Sequence, residues 1–208
     1  MKKIFRCIFY RLVYYSTKIF LLIFVPRRII GMQNIPPRQG CILACNHLSN
    51  LDPPFIGSVI HRQLSFMAKE ELFRHRILGF ILRNVGTIPI RRNQADFRGL
   101  REAIRVLRSN RPVVIFPQGS RQAIRRAANR GDKVFSGIGF LAAKSGVPVI
   151  PVTINGSDKV LPVHARWIRR HQVTLVIGRP LYFAQQELYP QIALRIMDAI
   201  EALEPAAA

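Results

Sequence analysis

Cys41-Ile42-Leu43-Ala44-Cys45-Asn46-His47-Leu48-Ser49-Asn50-Leu51-Asp52-Pro53-Pro54 reads as a buried strand that ends at a histidine, followed by a helix that begins just after an aspartate. Pro53 and Pro54 suit the first turn of that helix, where no amide hydrogen is needed. His47 then stands at the carboxyl end of a strand, the place where open α/β sheets hold ligands. Histidine has an unperturbed pKa of about 6.5 and accepts a proton near neutral pH. If Asp52 folds back onto Nδ1, it fixes the tautomer, turns Nε2 outward and stabilises the imidazolium. The competing reading makes Asp52 a helix cap and His47 an ordinary strand-end residue.

Strand and helix patterns alternate on both sides of this stretch. Strands are expected near 41–46, 65–69, 86–91, 113–117, 148–154 and 173–177, and helices near 54–61, 70–84, 94–109, 134–145 and 187–203. Such alternation argues for an α/β fold with a mostly parallel central sheet flanked by helices. A chain of 208 residues suits one main domain, over 35–208, behind an N-terminal segment, 1–34. Residues 31–40, with Pro36 and Pro37, read as the linker between them.

The formal charge of +21 demands an acidic partner, which nucleic acid, anionic lipid and an acidic carrier protein all satisfy. No helix-turn-helix, RNP aromatic signature or zinc spacing is present, so nucleic acid is not expected. Cysteines at 7, 41 and 45 make no disulfide framework. Positions 41 and 45 of one strand lie roughly 13 Å apart, too far to share an ion, so no metal site is expected and both read as small core residues.

Residues 4–25 are mostly apolar but are interrupted by Arg6, Arg11 and Lys18. On a helical projection Lys3, Arg6, Tyr10, Arg11, Tyr14 and Lys18 share an arc of about 140°. That pattern suits a helix lying in a membrane interface better than a clean span, with Arg27 and Arg28 extending the basic contact and Ile29-Ile30 opening a second membrane-facing segment. A soluble amphipathic helix packed on the domain is the alternative. A signal peptide fits less well, because charge breaks its apolar core and no small-residue cleavage site follows.

Three further strand ends carry polar or restricting residues. Gly86-Thr87-Ile88-Pro89-Ile90-Arg91-Arg92 ends in two cations that point to opposite sides, each offering a planar fork for phosphate oxygens. Phe116-Pro117-Gln118-Gly119-Ser120-Arg121 leaves a buried strand through a glycine that permits close ligand approach, a hydroxyl and another guanidinium. A basic loop with Arg125, Arg126 and Arg130 follows, suited to acidic headgroups or an acidic carrier. Val147-Pro148-Val149-Ile150-Pro151-Val152 is another buried strand, which its prolines restrict to an edge, an end or a bulge. Trp167, with Arg169, Arg170 and His171, suits either a second interfacial patch or a plain surface loop.

These segments resemble the motifs of the 1-acylglycerol-3-phosphate O-acyltransferases, the PlsC-type glycerolipid acyltransferase family. Asn-His-x-Ser-x-x-Asp stands as Asn46 to Asp52, Gly with Arg six residues on as Gly86 and Arg92, Phe-Pro-Glu-Gly-Thr-Arg as Phe116 to Arg121, and Val-Pro-x-x-Pro-Val as Val147 to Val152. The resemblance implies a PlsC-like fold with a membrane-associated N-terminal segment at the cytoplasmic face of the inner membrane. It makes His47 the general base and Asp52 its partner, with Arg92, Gly119, Ser120 and Arg121 around the acceptor's phosphate. Ser49, Gln118 and Pro151 fall in the same motifs and join the implied substrate pocket. The implied reaction moves an acyl group from acyl-CoA or acyl carrier protein to the 2-hydroxyl of lysophosphatidic acid, directly and without a metal or bound cofactor. The lack of a Gly-x-Ser-x-Gly nucleophile elbow agrees with direct transfer. Gln118 replaces the family's usual Glu, which keeps hydrogen bonding but removes a charge near the acceptor site, and Ser120 replaces Thr. Arg91, where the family often has Asp, adds to the basic character.

Overall fold

A computed structural model of the chain describes residues 2–91, 96–117, 137–162 and 167–203. Among them, seven strands form one sheet: β1 (Arg27–Ile30), β2 (Ile42–Cys45), β3 (Ser65–Lys69), β4 (Ile88–Ile90), β5 (Val113–Ile115), β6 (Val149–Asn155) and β7 (Val173–Ile177). The helices are α1 (Lys2–Phe24), α2 (Asp52–Val59), α3 (Arg76–Asn84), α4 (Phe97–Arg108), α5 (Gly137–Ser145), α6 (Ser157–Val160) and α7 (Tyr189–Glu201).

The strand order is β1-β7-β6-β2-β5-β3-β4, and every pairing is parallel except β6 with β7. β2 therefore lies between β5 and β6, and the chain crosses from one side of it to the other between those two strands. Ligand crevices in open α/β sheets form at such a switch point, outside the carboxyl ends of the strands. The continuous apolar run of β2 follows from its position, because helices cover both faces of the sheet. Ile42 and Ala44 pack into one core with α4, α5 and α7, while Cys41, Leu43 and Cys45 pack into the other with Phe55 and Ile56 of α2. Each fully buried side chain of this size contributes about 1.5–3 kcal/mol relative to exposure. Gly139 lets α5 close on α7, since a Cβ there would lie 2.0 Å from the Tyr189 carbonyl oxygen.

Several expectations need correction. Arg27–Ile30 is an edge strand paired in parallel with β7, so Ile29-Ile30 belongs to the sheet rather than to a separate segment. Residues 31–40 are less a linker than a packed turn. Gly31 adopts φ 81° against the Ile177 carbonyl, where a Cβ would sit 2.0 Å from the oxygen, and Asn34 Nδ2 donates to that same oxygen at 2.8 Å. The helix expected over 70–84 is a 3-10 turn, Glu70–Arg74, and then α3, separated by an extended His75. β6 is interior, yet Pro151 is accommodated there. Paired residues of β6 and β7 run from Val152, and the Pro151 carbonyl still accepts from Gly178 on that side, so the one bond its nitrogen cannot donate falls at the end of the ladder.

α1 is long and apolar enough to cross a membrane over Ile4–Phe24, by length and composition. Its polar arc does not face outward along its whole length. Tyr14 Oη lies 2.9 Å from His61 Nδ1, and Tyr10 Oη accepts from the Leu64 amide at 3.2 Å, so this side docks on the α2–β3 turn beside buried Leu21. Ile4, Ile8, Leu12, Tyr15, Ile19, Leu22 and Ile23 are exposed within an arc of about 100° on the opposite side. A helix packed on a soluble domain by its apolar face has the reverse orientation.

Candidate active site

β2 delivers His47 to the rim of the sheet, and Asn46 fixes where the strand stops. The Asn46 side chain donates from Nδ2 to the Ile154 carbonyl at 2.9 Å and accepts at Oδ1 from the Ile154 amide at 2.7 Å. Its carboxamide thus takes the role of the next peptide group in the β2–β6 ladder, and the main chain is released to turn. The sequence reading did not select Asn46. An amide side chain at the last position of a buried strand was the available signal.

The turn from Asn46 to Asp52 folds back on one carboxylate. Asp52 Oδ2 lies 2.7 Å from His47 Nδ1 and accepts from the amides of Leu48 at 2.7 Å and Ser49 at 2.8 Å. Asp52 occupies the first turn of α2 followed by Pro53 and Pro54, but it is not the cap, a position held by Leu51 without a side-chain bond. The helix starts at Asp52, two residues before the expected 54, and the competing assignment of Asp52 as a plain N-cap fails. An ionised carboxylate only accepts, so Nδ1 carries the hydrogen and the lone pair resides on Nε2. The Asp52 side chain is 0% exposed and that of His47 is 36% exposed, so the acid is sealed and the imidazole remains accessible. Asp52 Oδ1 is buried without a hydrogen-bond partner among the described residues.

Ser49 serves this turn. Its hydroxyl donates to the Leu161 carbonyl at 2.8 Å and accepts from the Leu51 amide at 3.2 Å, tying the loop to the segment after α6. Phe116, at the end of β5, lies against the imidazole with ring centroids 4.5 Å apart and planes tilted by 32°. The first and third sequence motifs therefore meet at His47. Pro151 is buried in β6 level with Ala44, three residues before His47 on the neighbouring strand.

Arg91 is engaged elsewhere. Its guanidinium pairs with Glu70 at 2.5 Å, and its amide donates to Asp96 Oδ2 at 2.9 Å. The hydrogen bond from Arg91 holds the Glu70 carboxyl below its ordinary range. Asp96 caps α4 by accepting from Arg98 and Gly99. Arg92, Gln118, Gly119, Ser120 and Arg121 lie outside the described residues, as do Arg125, Arg126 and Arg130. Among the described residues, no group of three or more His, Cys, Asp or Glu side chains converges to hold a metal ion.

The acyltransferase family model matches residues 26–155, from β1 through the end of β6. The 1-acyl-sn-glycerol-3-phosphate acyltransferase BAT2 of Brassica napus chloroplasts is 28% identical over 77% of this chain, and the chain spans about half of that relative's length, 46%. The 1-acyl-sn-glycerol-3-phosphate acyltransferase of Bacillus subtilis is 26% identical over 76% of this chain and 74% of its own. The crystal structure of PlsC from Thermotoga maritima, titled as a 1-acyl-sn-glycerophosphate acyltransferase, superposes over 100% of this chain and 81% of that one. Its TM-score is 0.68 at 24% identity, which establishes the PlsC-like fold. The family match takes in β1 to β6, six of the seven strands, together with the His47–Asp52 turn, and by that match the chain belongs to the acyltransferase family.

Proposed function

We propose that the protein is a 1-acyl-sn-glycerol-3-phosphate O-acyltransferase, moving a fatty acyl group from a CoA or acyl carrier protein thioester to the 2-hydroxyl of lysophosphatidic acid. The observation that carries this reading is the accessible imidazole of His47 braced through Nδ1 by a sealed carboxylate. His47 Nε2 takes the proton of the glycerol hydroxyl as that oxygen attacks the thioester carbonyl. The tetrahedral oxyanion then collapses, the C–S bond breaks, and the thiolate leaves with the proton returned from the imidazolium. The Leu48 and Ser49 amides are committed to Asp52, so the donors that stabilise the oxyanion are other groups. Arg92 and Arg121 hold the acceptor's phosphate, with Gly119 and Ser120 shaping that pocket. Arg91 is held by Glu70, which favours Arg92 of the adjacent pair for this role.

The outward apolar face of α1, together with the charge of +21, supports seating on an anionic membrane at the cytoplasmic face. The same charge suits an acidic carrier protein as donor. Radiolabelled acyl transfer by pure, lipid-supplied protein, compared across lysophosphatidic acid, glycerol 3-phosphate and other lysolipids, tests the reading. Turnover is expected to be fastest with lysophosphatidic acid, and none with that acceptor rejects it. Gln118 in place of Glu favours one second reading, transfer to another lysolipid, which the same comparison reveals.

A further inference from the structure

The segment between β3 and β4 presents apolar side chains that neither core cluster of the described residues includes. Of the nine residues of α3, Gly79 is buried, while Ile77 is 79% exposed and Leu78 and Phe80 are also exposed, as is Leu72 of the preceding 3-10 turn. The local geometry holds them there. The extended His75 breaks the helix and Arg83 donates to the Phe73 carbonyl at 2.9 Å. Gly79 packs so closely that a Cβ would lie 2.3 Å from that carbonyl oxygen. The 3-10 turn and α3 are thereby clasped with their apolar side chains outward.

This surface is continuous with α1. Phe80 meets Phe9 edge-on with centroids 5.5 Å apart, and Phe9 stacks on Phe5 at 5.9 Å. Its border along α3 is cationic: Arg74, Arg76 and Arg83 are exposed, and no Asp or Glu occurs from Arg74 to Arg91, while Glu71 stands beside Leu72 at the far end of the 3-10 turn. Apolar side chains bounded by guanidinium groups match the boundary between acyl chains and anionic headgroups. A soluble protein partner with a mixed-charge rim does not call for that pattern.

We infer that α3 is a second membrane-seating element, set beside α1 in the surface of an anionic bilayer, with Ile77, Leu78 and Phe80 in the acyl region and Arg74, Arg76 and Arg83 among the phosphates. The inference rests on the proposed seating of α1 and adds a second point of contact, which fixes the tilt of the domain. α3 runs through a short turn into β4, so the contact bears directly on the strand that ends just before Arg91.

Single-tryptophan proteins test it. The full chain with Trp167→Phe receives either Leu12→Trp on α1 or Ile77→Trp on α3, both on exposed positions, and is mixed with phosphatidylcholine–phosphatidylglycerol vesicles whose acyl chains are plain or brominated. Both tryptophans are expected to lose about half or more of their emission to the brominated chains. Quenching at position 12 without quenching at 77 overturns the role of α3 and spares that of α1. Absence of quenching at both overturns the two together. A concentration-dependent blue shift at 77 without vesicles assigns the surface to a second copy of the chain instead and overturns the inference. The double substitution Ile77→Glu with Phe80→Glu is expected to weaken vesicle binding at least about tenfold while acyl transfer in detergent is retained. Unchanged vesicle affinity overturns it.

Discussion

Asp52 Oδ2 lies 2.7 Å from His47 Nδ1 and also receives two main-chain amides, so one buried oxygen holds both the imidazole and the loop that presents it. The two residues therefore fail in different ways. His47→Ala removes the base and is expected to lower kcat by about 10²–10⁴ with little change in thermal stability. Asp52→Ala is expected to lower kcat by a similar factor and also to destabilise the fold by about 1–3 kcal/mol, because the buried Ser49 amide and the partly buried Leu48 amide lose their acceptor. Acyl transfer kinetics beside thermal melts followed by circular dichroism separate the two. Most activity retained by His47→Ala would defeat the proposed base.

Asn46 acts on the reaction through His47. Asn46→Ala leaves the Ile154 amide and carbonyl unpaired in the core, at about 1–3 kcal/mol. With the strand end loosened, kcat is expected to fall about tenfold or more while KM for either substrate stays within about twofold. Asn46→Asp retains the acceptor but replaces the donor to Ile154 with an oxygen, so it is expected to rescue little. A loss confined to KM would remove Asn46 from the positioning of the base.

The strands near β2 were legible because their burial on both faces writes continuous apolar runs into the sequence, and the His47–Asp52 pairing because a helix start five residues on turns the acid back toward the strand. β1 was missed. Four residues, Arg27-Arg28-Ile29-Ile30, carry both the cations of a membrane flank and the β-branched pair of an edge strand, and only their long-range pairing with Val173–Val176 decides between the two. The break at His75 was hidden for a related reason, since it depends on Gly79 meeting the Phe73 carbonyl rather than on any helix-stop residue. The polar arc of α1, taken alone, suits headgroups. Its tyrosines instead find His61 and the Leu64 amide, partners that exist only once α2 and β3 are placed.

Cys41, just before β2, and Cys45, at its end, face the same core, whereas Cys7 is exposed on α1. Burial pushes the Cys41 thiol up to about 11 and raises that of Cys45 as well. The folded protein at pH 8 is expected to react with a thiol reagent such as dithionitrobenzoate at Cys7 alone, and at all three cysteines after denaturation. Reaction of two or more thiols in the folded protein would show that the core around β2 opens.

Asp96 ties the residue after β4 to the first turn of α4, accepting from the amides of Arg98 at 3.1 Å and Gly99 at 3.0 Å through Oδ1 and from that of Arg91 at 2.9 Å through Oδ2. Partial burial works to raise its pKa, but the bonds from Gly99, Arg91 and Arg98 outweigh that effect and hold the carboxyl below its ordinary value. A folded pKa below the unfolded one stabilises the fold above the unfolded value, about pH 4, and this contribution is lost as pH falls through the folded value. Urea unfolding of the detergent-solubilised protein is therefore expected to show a decline in stability below about pH 4 that is shallower in Asp96→Asn, which still caps α4 but does not titrate. Asp96→Ala removes the cap and is expected to lose about 0.5–2 kcal/mol at pH 7. Because the Arg91 amide, next in sequence to Arg92, then loses its acceptor, the same variant is expected to raise KM for the phosphate-bearing acceptor while KM for the thioester donor is unchanged. An acid limb in Asp96→Asn as steep as that of the unaltered protein would place the titrating carboxylate elsewhere.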